Sequence, residues 1–559
     1  MTTNPAPEPA APPPRARLKH RIPVRVRHYW KLLAACVAVA AALVVVAGKV
    51  RIAPIVTSQA SGKHDEVIQN IEGAVDLFDA TVAHTVTITY AEADYQRMFD
   101  EYMATGEKEY VRVDATIDGT LIRDVGIRLK GNSTLSGVTH EGKTRSLSED
   151  RGGGPGGRPG MPEGGFPGMP EGGFPGMPEG GLPQMPGGDG QNPGGGQGGP
   201  GAMGGGPGRF GRTSLDSAKP EELPWLVSFD EFAEGRRYQG RSEVAVRVSG
   251  MGGGTTVVNE ALSLAVAAAA EQPAQRYAYA GFQVNGRPAK ARLLVEHPDE
   301  DFADRLGNGV LYKSLATGQF TYQGADPTAY EDDFKQVNNK GSHDLAPVID
   351  LVKWVNEASD ADFVAHLADH VDVASFAEYV ALQNLLLNFD DMAGPGRNYY
   401  LWYDLDTRKF KVISWDHNLT FSGSATAGPH DTMSMGGGMG GFPGGGDFKL
   451  PEGMEPPEGF TPPDGGPGDG RGAMMGGNKL KERFLASNAF KKAYEDAYRE
   501  LYGKIYADKA AEKALDQITS TLNNVAGADA AAVKTDVDKL RSTVQQRAEA
   551  LAKDEVVKA

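Results

Sequence analysis

Three polar residues, close together in the sequence, carry the side chains that phosphoryl transfer requires. Asp390 follows an apolar segment with helical spacing, Asn398 opens a predicted β-hairpin, and Asp416 directly follows the second hairpin strand. Phosphoryl transfer needs oxygen ligands that hold Mg²⁺ and a carboxylate that orients the acceptor hydroxyl. In this order Asp390 is the candidate base and Asp416 the candidate Mg²⁺ ligand. Asn398 or Asn418 would complete an all-oxygen metal site.

The same residues also have a structural interpretation. Asp and Asn are favoured in turns because their side chains hydrogen-bond to nearby backbone groups. The segments 388–390, after a helix, and 416–418, after a strand, both fit that pattern. Asp391 is a second candidate for the base, since it stands beside Asp390. Spacing alone therefore leaves turn formation and catalysis open as alternatives.

Other polar residues at strand ends are candidates to bind a nucleotide. Segment 128–134 leaves a strand and offers backbone N–H groups, Lys130 and Asn132 to a phosphate. It lacks the spacing of a P-loop, and a polar turn is the structural alternative. Glu296 and Lys313 each end an apolar, buried-looking strand, which favours a role at the same site.

The elements that must position these residues change character along the chain. Alternating apolar residues predict strands up to about residue 313, and apolar spacing typical of helices dominates after residue 345. This order predicts an α+β fold with two lobes, a β-rich N-terminal part and a mainly helical C-terminal part. The predicted strands are 84–90, 111–117, 121–129, 226–229, 243–248, 275–284, 290–296, 309–313, 398–403 and 409–415, and the predicted helices are 92–103, 259–270, 345–358, 360–370, 375–387 and 480–557 with a break near Gly527.

Two segments, 151–210 and 423–477, hold most of the excess of glycine and proline, which number 73 and 36 in the whole chain. Such segments contain too little apolar area to offset the entropy of ordering the backbone. We therefore predict two disordered Gly/Pro/Met-rich insertions within one domain that spans residues 77–559. Binding of copper by exposed methionines, or of Ca²⁺ by the acidic segment 296–304, is a further interpretation.

The N-terminus predicts a membrane anchor. Residues 1–31 are basic, and residues 32–48 carry no charge over a length at the short end of what spans a bilayer. The basic tail should stay cytoplasmic, so that a stalk, 49–76, and the body lie outside the cell. A cleaved signal peptide is the alternative.

Charge and cysteine content narrow the classes of function. The formal net charge of −16 argues against nonspecific nucleic-acid binding. The single cysteine, Cys36, lies in the predicted anchor, so the exported part offers no disulfide, cysteine zinc cluster or cysteine nucleophile.

An ordered set of segments resembles the CotH kinase family, the spore-coat protein H-like atypical kinases with a protein-kinase-like fold of two lobes. Each segment is short and weak by itself, but their order is specific. The segments are VGIRLKGNSTL at 125–135, LVSFDEF at 226–232, the Asn-Gly and Leu-Val-Glu of 285–296, VLYK at 310–313, LNFDD at 387–391, NYYLWYD at 398–404 and VISWDHNLTF at 412–421.

The resemblance implies a kinase that uses ATP and Mg²⁺ to phosphorylate serine or threonine of a protein. The predicted anchor would make that substrate a surface or secreted protein. It assigns Asp390 as the catalytic aspartate, Asn398 as the asparagine that opens the hairpin, and Asp416 as the metal ligand. The family has a basic residue at the start of the strand that aligns with LVSFD, where this chain has Pro224-Trp225-Leu226. Lys130 and Lys313 are therefore the candidates for the lysine that grips the nucleotide.

ATP is scarce outside cells, which leaves a second interpretation open. The chain would then be a catalytically silent surface or envelope assembly protein that uses the kinase fold as a binding module.

Overall fold

The computed structural model describes residues 68–131, 133–135, 137–145, 215–249, 254–431 and 477–559. The predicted tail, anchor and first insertion lie outside the described residues, as do Asn132, stalk residues 49–67 and residues 432–476 of the second insertion. No helix within the described ranges is both long and apolar enough to cross a bilayer.

The described residues form a mixed α and β structure, consistent with the predicted α+β class, and most strands and helices agree closely with the predicted bounds. The strands are β1 Gln69–Ile71, β2 Ala83–Thr89, β3 Val111–Ile117, β4 Thr120–Leu129, β5 Thr139–His140, β6 Lys143–Thr144, β7 Trp225–Ser228, β8 Arg236–Tyr238, β9 Glu243–Arg247, β10 Tyr277–Val284, β11 Lys290–Glu296, β12 Gly309–Ser314, β13 Phe334–Gln336, β14 Tyr399–Asp404 and β15 Lys409–Ser414. The helices are α1 Glu92–Thr105, α2 Val258–Ala269, α3 Glu300–Leu306, α4 Ala346–Glu357, α5 Asp360–His370, α6 Val373–Leu385, α7 Lys479–Ala486, α8 Asn488–Tyr502, α9 Ala510–Leu522, α10 Ala530–Leu551 and α11 Glu555–Lys558, with a π-helix at Gly503–Ala507 after α8.

The N-terminal half of the described chain is built on a closed barrel, in the strand order β10-β11-β9-β7-β4-β3-β2. Neighbouring strands are antiparallel except β2 and β10, which close the barrel in parallel with Ala83 beside Tyr279. Closure leaves no strand with unpaired backbone groups at an edge. The strands alternate as the sequence predicts: Val111, Val113 and Ile117 of β3 are buried, whereas Arg112 between them is exposed.

The C-terminal half combines helices with a second sheet, in the order β13-β12-β14-β15. The predicted hairpin is confirmed as β14 and β15, which pair from Tyr399 opposite Ser414 to Asp404 opposite Lys409. The sequence pattern did not indicate that β12 would pair with β14, which places Lys313 opposite Tyr400. Strand β14 is thus an inner strand of a small sheet, and β15, which ends at Ser414, is its edge strand.

Two clusters of buried apolar residues meet at strand β11. Leu294 packs in the cluster inside the barrel, whereas Leu293 and Val295 pack in the cluster of the helices and the second sheet. Successive side chains of a strand point to opposite faces, so β11 belongs to both cores. The face that carries Leu293 and Val295 therefore looks toward the C-terminal half.

A buried arginine, Arg547 of α10, joins the C-terminal helices to the end of α6. Its side chain is fully buried and donates to the backbone oxygens of Asn384 at 2.7 Å and Leu385 at 2.9 Å. It also donates to the Ala427 backbone oxygen at 2.9 Å. The last carbonyls of a helix lack partners within that helix, so Arg547 satisfies the end from which the segment bearing Asp390 departs.

We predict that Arg547→Met destabilises the protein by about 2–4 kcal/mol, because methionine fills the volume but removes the buried charge-assisted hydrogen bonds that join α10 to the end of α6. Urea unfolding of the full-length chain measures the change. Arg541→Met is the control on the same helix, because Arg541 is partly exposed and pairs with the exposed Asp516. Its expected cost is below about 1 kcal/mol. Equal losses for the two variants would contradict this account of Arg547.

Candidate active site

The chain leaves helix α6 through a sharp turn that brings Asp390 and Asp391 inward. Leu387, which is buried, adopts a φ of 52° in the left-handed region, an unusual conformation for a leucine. Asn388 then fixes the turn by accepting from the Asp390 backbone N–H at 3.1 Å and by donating to Gln383 at 2.8 Å. These hydrogen bonds fix the conformation of the helix end and therefore the position of Asp390.

Asp390 is buried and held by two donors from the loop that follows. The Gly396 backbone N–H donates to one carboxylate oxygen at 2.5 Å, and the Asn398 side-chain amide donates to the other at 2.9 Å. Burial raises the pKa of Asp390 to about 6, and the nearby charges of Asp416 and Asp391 add to the increase. Both hydrogen bonds favour the ionised form and oppose that rise. A carboxylate with these properties is suited to general base chemistry near neutral pH.

Asp391 has a different environment and does not duplicate Asp390. It is almost fully buried, forms an ion pair with Lys481 of α7, and accepts from the Ala393 backbone N–H at 2.9 Å. A buried carboxylate in a close ion pair is a structural group, since its charge is already compensated. The structure therefore favours Asp390 as the base.

Asp416 lies at the end of β15 and is joined to two other charged residues. Its backbone has a φ of 57°, in the left-handed region, and its carboxylate pairs with Arg247 from β9. The Arg247 Nε atom donates to Glu260 of α2 at 2.8 Å. Burial lowers the pKa of Arg247, but Asp416 and Glu260 outweigh that effect and raise it overall. We refer to Asp416, Arg247 and Glu260 as the ion bridge.

Two lysines approach the ion bridge around an aromatic pair. Lys130 and Arg247 each lie 5.5 Å from the centre of the Trp415 ring. Lys313 lies 5.9 Å from the centre of the Tyr400 ring, which packs edge-on against Trp415. Cations at these distances from aromatic faces are attracted to the rings.

Burial lowers the pKa of both lysines. That of Lys130 falls well below its usual value and is depressed further by Lys313 and Arg247. For Lys313, Asp416 partly opposes the decrease caused by burial. The structure thus brings Lys130, Lys313 and Asp416 into one electrostatic environment.

Three asparagines predicted from the sequence as site residues lie in different surroundings. Asn398 turns its amide nitrogen to Asp390, and Asn418 is half-exposed, with its backbone oxygen accepting from Asn259 at 2.5 Å. Asn132 lies outside the described residues.

Glu296 is not brought to the ion bridge. It is buried in ion pairs with Arg241, Arg276 and Arg305. The physical reason is its place in the strand, because it follows Val295 and therefore faces the barrel side of β11.

Arg247 and Glu260 are site residues that the sequence pattern did not predict. The segments that carry them were assigned correctly as a strand and a helix, but neither residue was singled out. One feature of the sequence could have indicated Glu260, because it is a carboxylate among apolar residues of α2. Most residues in the first two turns of this helix are buried. A charge in such a helix requires a partner.

The residues fit a Mg²⁺-bound phosphate group. Asp416 is about a quarter exposed, so part of its carboxylate is accessible to a ligand. Mg²⁺ binds through one or two carboxylates together with phosphate oxygens and water. Lys130, Lys313 and Arg247 supply the positive charge that a polyphosphate requires.

The loop that holds Asp390 tolerates no side chain at Gly396. A Cβ atom there would lie 2.6 Å from Asp390 Oδ2 and 2.7 Å from Asn398 Nδ2. We predict that Gly396→Ala displaces both residues and destabilises the protein by about 1–3 kcal/mol, measured by urea unfolding. Gly503→Ala is the control, because a Cβ atom at the helical Gly503 meets nothing within 4 Å. A loss at Gly503 as large as at Gly396 would refute the steric explanation.

Comparison with known proteins gave one family. The sequence model described as CotH kinase protein matches residues 210–553, more than half of the chain. The match contains Arg247, Glu260, Lys313, Asp390 and Asp416, whereas Lys130 lies before it. No curated protein matched the chain.

Proposed function

The chain belongs to the CotH kinase protein family, and on that premise we propose that it transfers the γ-phosphate of ATP to serine or threonine of a protein, with Mg²⁺. The observation that carries the proposal is that Asp390 lies close enough to Asp416 for the charge of Asp416 to raise its pKa. Arg247 forms an ion pair with the same Asp416, and Lys313 lies within reach of its charge. Mg²⁺ and ATP would supply charge neutralisation and the transferred group.

We assign the roles of the residues from their contacts. Asp390, held by Gly396 and Asn398, would accept a hydrogen bond from the acceptor hydroxyl and take its proton. Asp416 would hold the metal through its accessible carboxylate, with Asn398 or Asn418 as a further oxygen ligand. Lys130 and Lys313 would bind phosphate oxygens.

The ion bridge supports the kinase assignment. Protein kinases require an ion pair between a strand lysine and a helix glutamate, as well as an aspartate on the metal. Here Arg247 of β9 pairs with Glu260 of α2, and the same guanidinium reaches Asp416. Arg247 would thus replace the strand lysine as the partner of the helix glutamate, while Lys130 and Lys313 remain the candidates that grip the phosphates. We infer a kinase-like arrangement of two lobes, with the barrel and the helical half on either side of this bridge.

One observation favours the alternative of a silent binding module. Arg247 forms an ion pair with the Asp416 carboxylate and so competes with a metal ion for it. Catalytic turnover requires that Mg²⁺ displace Arg247 from the Asp416 carboxylate or share the carboxylate with it. A binding module that works without nucleotide has no such requirement. The two functions therefore differ in whether Mg²⁺ and ATP bind together.

We predict that Mg-ATP raises the melting temperature of the protein and that Asp416→Asn abolishes the Mg²⁺-dependent part of the shift. Binding to the folded state alone stabilises it in proportion to the logarithm of ligand concentration. Asp390→Asn should retain the shift but lower phosphate transfer from labelled ATP by about 100-fold or more, since it removes only the base. Asp406→Asn, in the exposed turn of the hairpin, is the control with unchanged binding and turnover. Absence of any Mg-ATP shift in the unsubstituted protein would leave the silent module as the function.

We also predict that kcat/KM falls about tenfold per pH unit below pH 6. The folded-state pKa of Asp390 is raised to about 6, and only its ionised form accepts the hydroxyl proton. Activity is therefore present above this pKa and lost as pH falls through it. A pH–rate profile measures the limb, with melting curves at each pH to show that the protein stays folded. A profile flat down to pH 5 would show that Asp390 is not the base.

We further propose that residues 32–48 anchor the chain in the cell membrane with the body outside, where its substrates would be surface or secreted proteins.

A further inference from the structure

A second group of polar residues lies on the same face of β9 as Arg247 and has no role in the proposed reaction. Glu243 and Arg247 are four residues apart in the strand, so both side chains point out of the barrel toward the C-terminal half. There Glu243 meets His297 and Asp299, which follow β11. One ligand atom from each of the three residues lies within 4.8 Å of the others.

Both carboxylates are oriented by hydrogen bonds from outside the group. The Tyr110 hydroxyl donates to Glu243 Oε1 at 3.1 Å. The Ser242 hydroxyl donates to Asp299 Oδ2 at 2.8 Å. Outer hydrogen bonds of this kind orient carboxylate ligands in metal sites and tune their affinity. Two carboxyl groups are thus held close together in a largely buried position, an arrangement that a bound cation would stabilise.

Two buried polar atoms at this group lack a hydrogen bond, and one of them, the Tyr400 hydroxyl, lies outside the three ligand residues. His297 Nδ1 lies 2.8 Å from Glu243 Oε2, but off the direction in which a ring N–H would donate, so it makes no hydrogen bond. The Tyr400 side chain is 1% exposed, and its hydroxyl has no hydrogen-bond partner among the described residues.

Tyr400 lies beside this group. Its ring packs edge-on against Trp415 with ring centres 6.0 Å apart, and the His297 ring packs edge-on against the same Trp415 at 6.1 Å. A buried hydroxyl without a partner costs free energy, and a bound water would satisfy it.

We propose that Glu243, His297 and Asp299 bind a divalent transition-metal ion of the Zn²⁺ type, with a water that completes the coordination and reaches the Tyr400 hydroxyl. An imidazole with two carboxylates is a ligand set for Zn²⁺ and similar ions, whereas Mg²⁺ prefers oxygen alone. Lys130 and Arg128 also face Glu243. The second carboxylate, from Asp299, offsets the positive charge of Lys130 and Arg128, so that the ligand set can still bind a cation.

The ion would be held by the barrel half of the described chain and would reach the second sheet through its water. Its ligands come from barrel strand β9 and from the connection between β11 and α3, and Tyr400 comes from β14 of the second sheet. The His297 ring packs edge-on against Trp415, with ring centres 6.1 Å apart. The metal would thus hold Trp415, and with it the neighbouring Lys130, without taking part in phosphate transfer.

The test is the metal content of the full-length chain. The protein is stripped with a chelator, dialysed against Zn²⁺ in excess Mg²⁺, and assayed for bound zinc. About one equivalent of zinc should bind per chain, since three protein ligands and a water form one site. His297→Ala should lower the affinity for zinc by about 100-fold or more, because the loss of a hydrogen-bond partner of a ligand alone costs about 10- to 100-fold. Zn²⁺ should raise the melting temperature of the unsubstituted protein but not that of His297→Ala.

Three further variants complete the test. His366→Ala removes an exposed histidine that pairs with an aspartate and should leave zinc binding unchanged. Tyr110→Phe keeps all three ligands and should weaken binding about tenfold, which remains measurable if His297→Ala fails to fold. Asp416→Asn should retain the zinc, so failure of the kinase proposal and failure of this one are distinguishable. The inference is overturned if no zinc equivalent binds, or if Tyr110→Phe binds zinc as tightly as the unsubstituted protein.

Discussion

The ion bridge of Asp416, Arg247 and Glu260 is the interaction on which the arrangement of the site depends. Its members come from the end of β15, from barrel strand β9 and from helix α2. Removing one partner of a buried ion pair leaves an uncompensated charge and typically costs about 3–5 kcal/mol. These ion pairs therefore fix the positions of β9, helix α2 and the hairpin relative to one another. The apolar cores on either side fill the volume but specify orientation less strictly.

Strand parity decides which residues take part in that bridge. Arg247 and Glu243 leave β9 on the face that looks toward the C-terminal half, as Leu293 and Val295 do on the neighbouring strand β11. Glu296 lies on the other face and meets three arginines instead. A slip of one residue in β9 would move Arg247 inside the barrel and Val246 out. Closure of the barrel by β2 and β10 prevents such slippage, because every strand is paired on both sides.

The sequence alone predicted local structure and part of the site, and the reason lies in the range of the interactions. Alternation along β3 and apolar spacing along α6 are local, so the elements that carry Asp390 and Asp416 were placed close to their true bounds. The pairing of β2 with β10 joins segments about 195 residues apart, and no local pattern encodes it. Arg247 was missed for the same reason, since its partners lie 13 and 169 residues away. Glu296 was singled out because it ends an apolar strand, which indicates burial but not the partners found there.

In the protein without ligands, burial disfavours the charged forms of the site residues, and the proposed ligands would favour those charged forms. Burial makes Asp390 harder to ionise and makes Lys130 and Lys313 easier to deprotonate. Each of these shifts reflects a charge that lacks enough compensation. A polyphosphate beside the lysines would favour their charged forms, and a divalent cation beside Asp416 would relieve its repulsion of Asp390. Because the lysines and the carboxylates differ in sign, neither a bare anion nor a bare cation compensates both sets. A metal–polyphosphate complex would compensate both sets, so the proposed ligand, ATP with Mg²⁺, suits these charges better than either component alone.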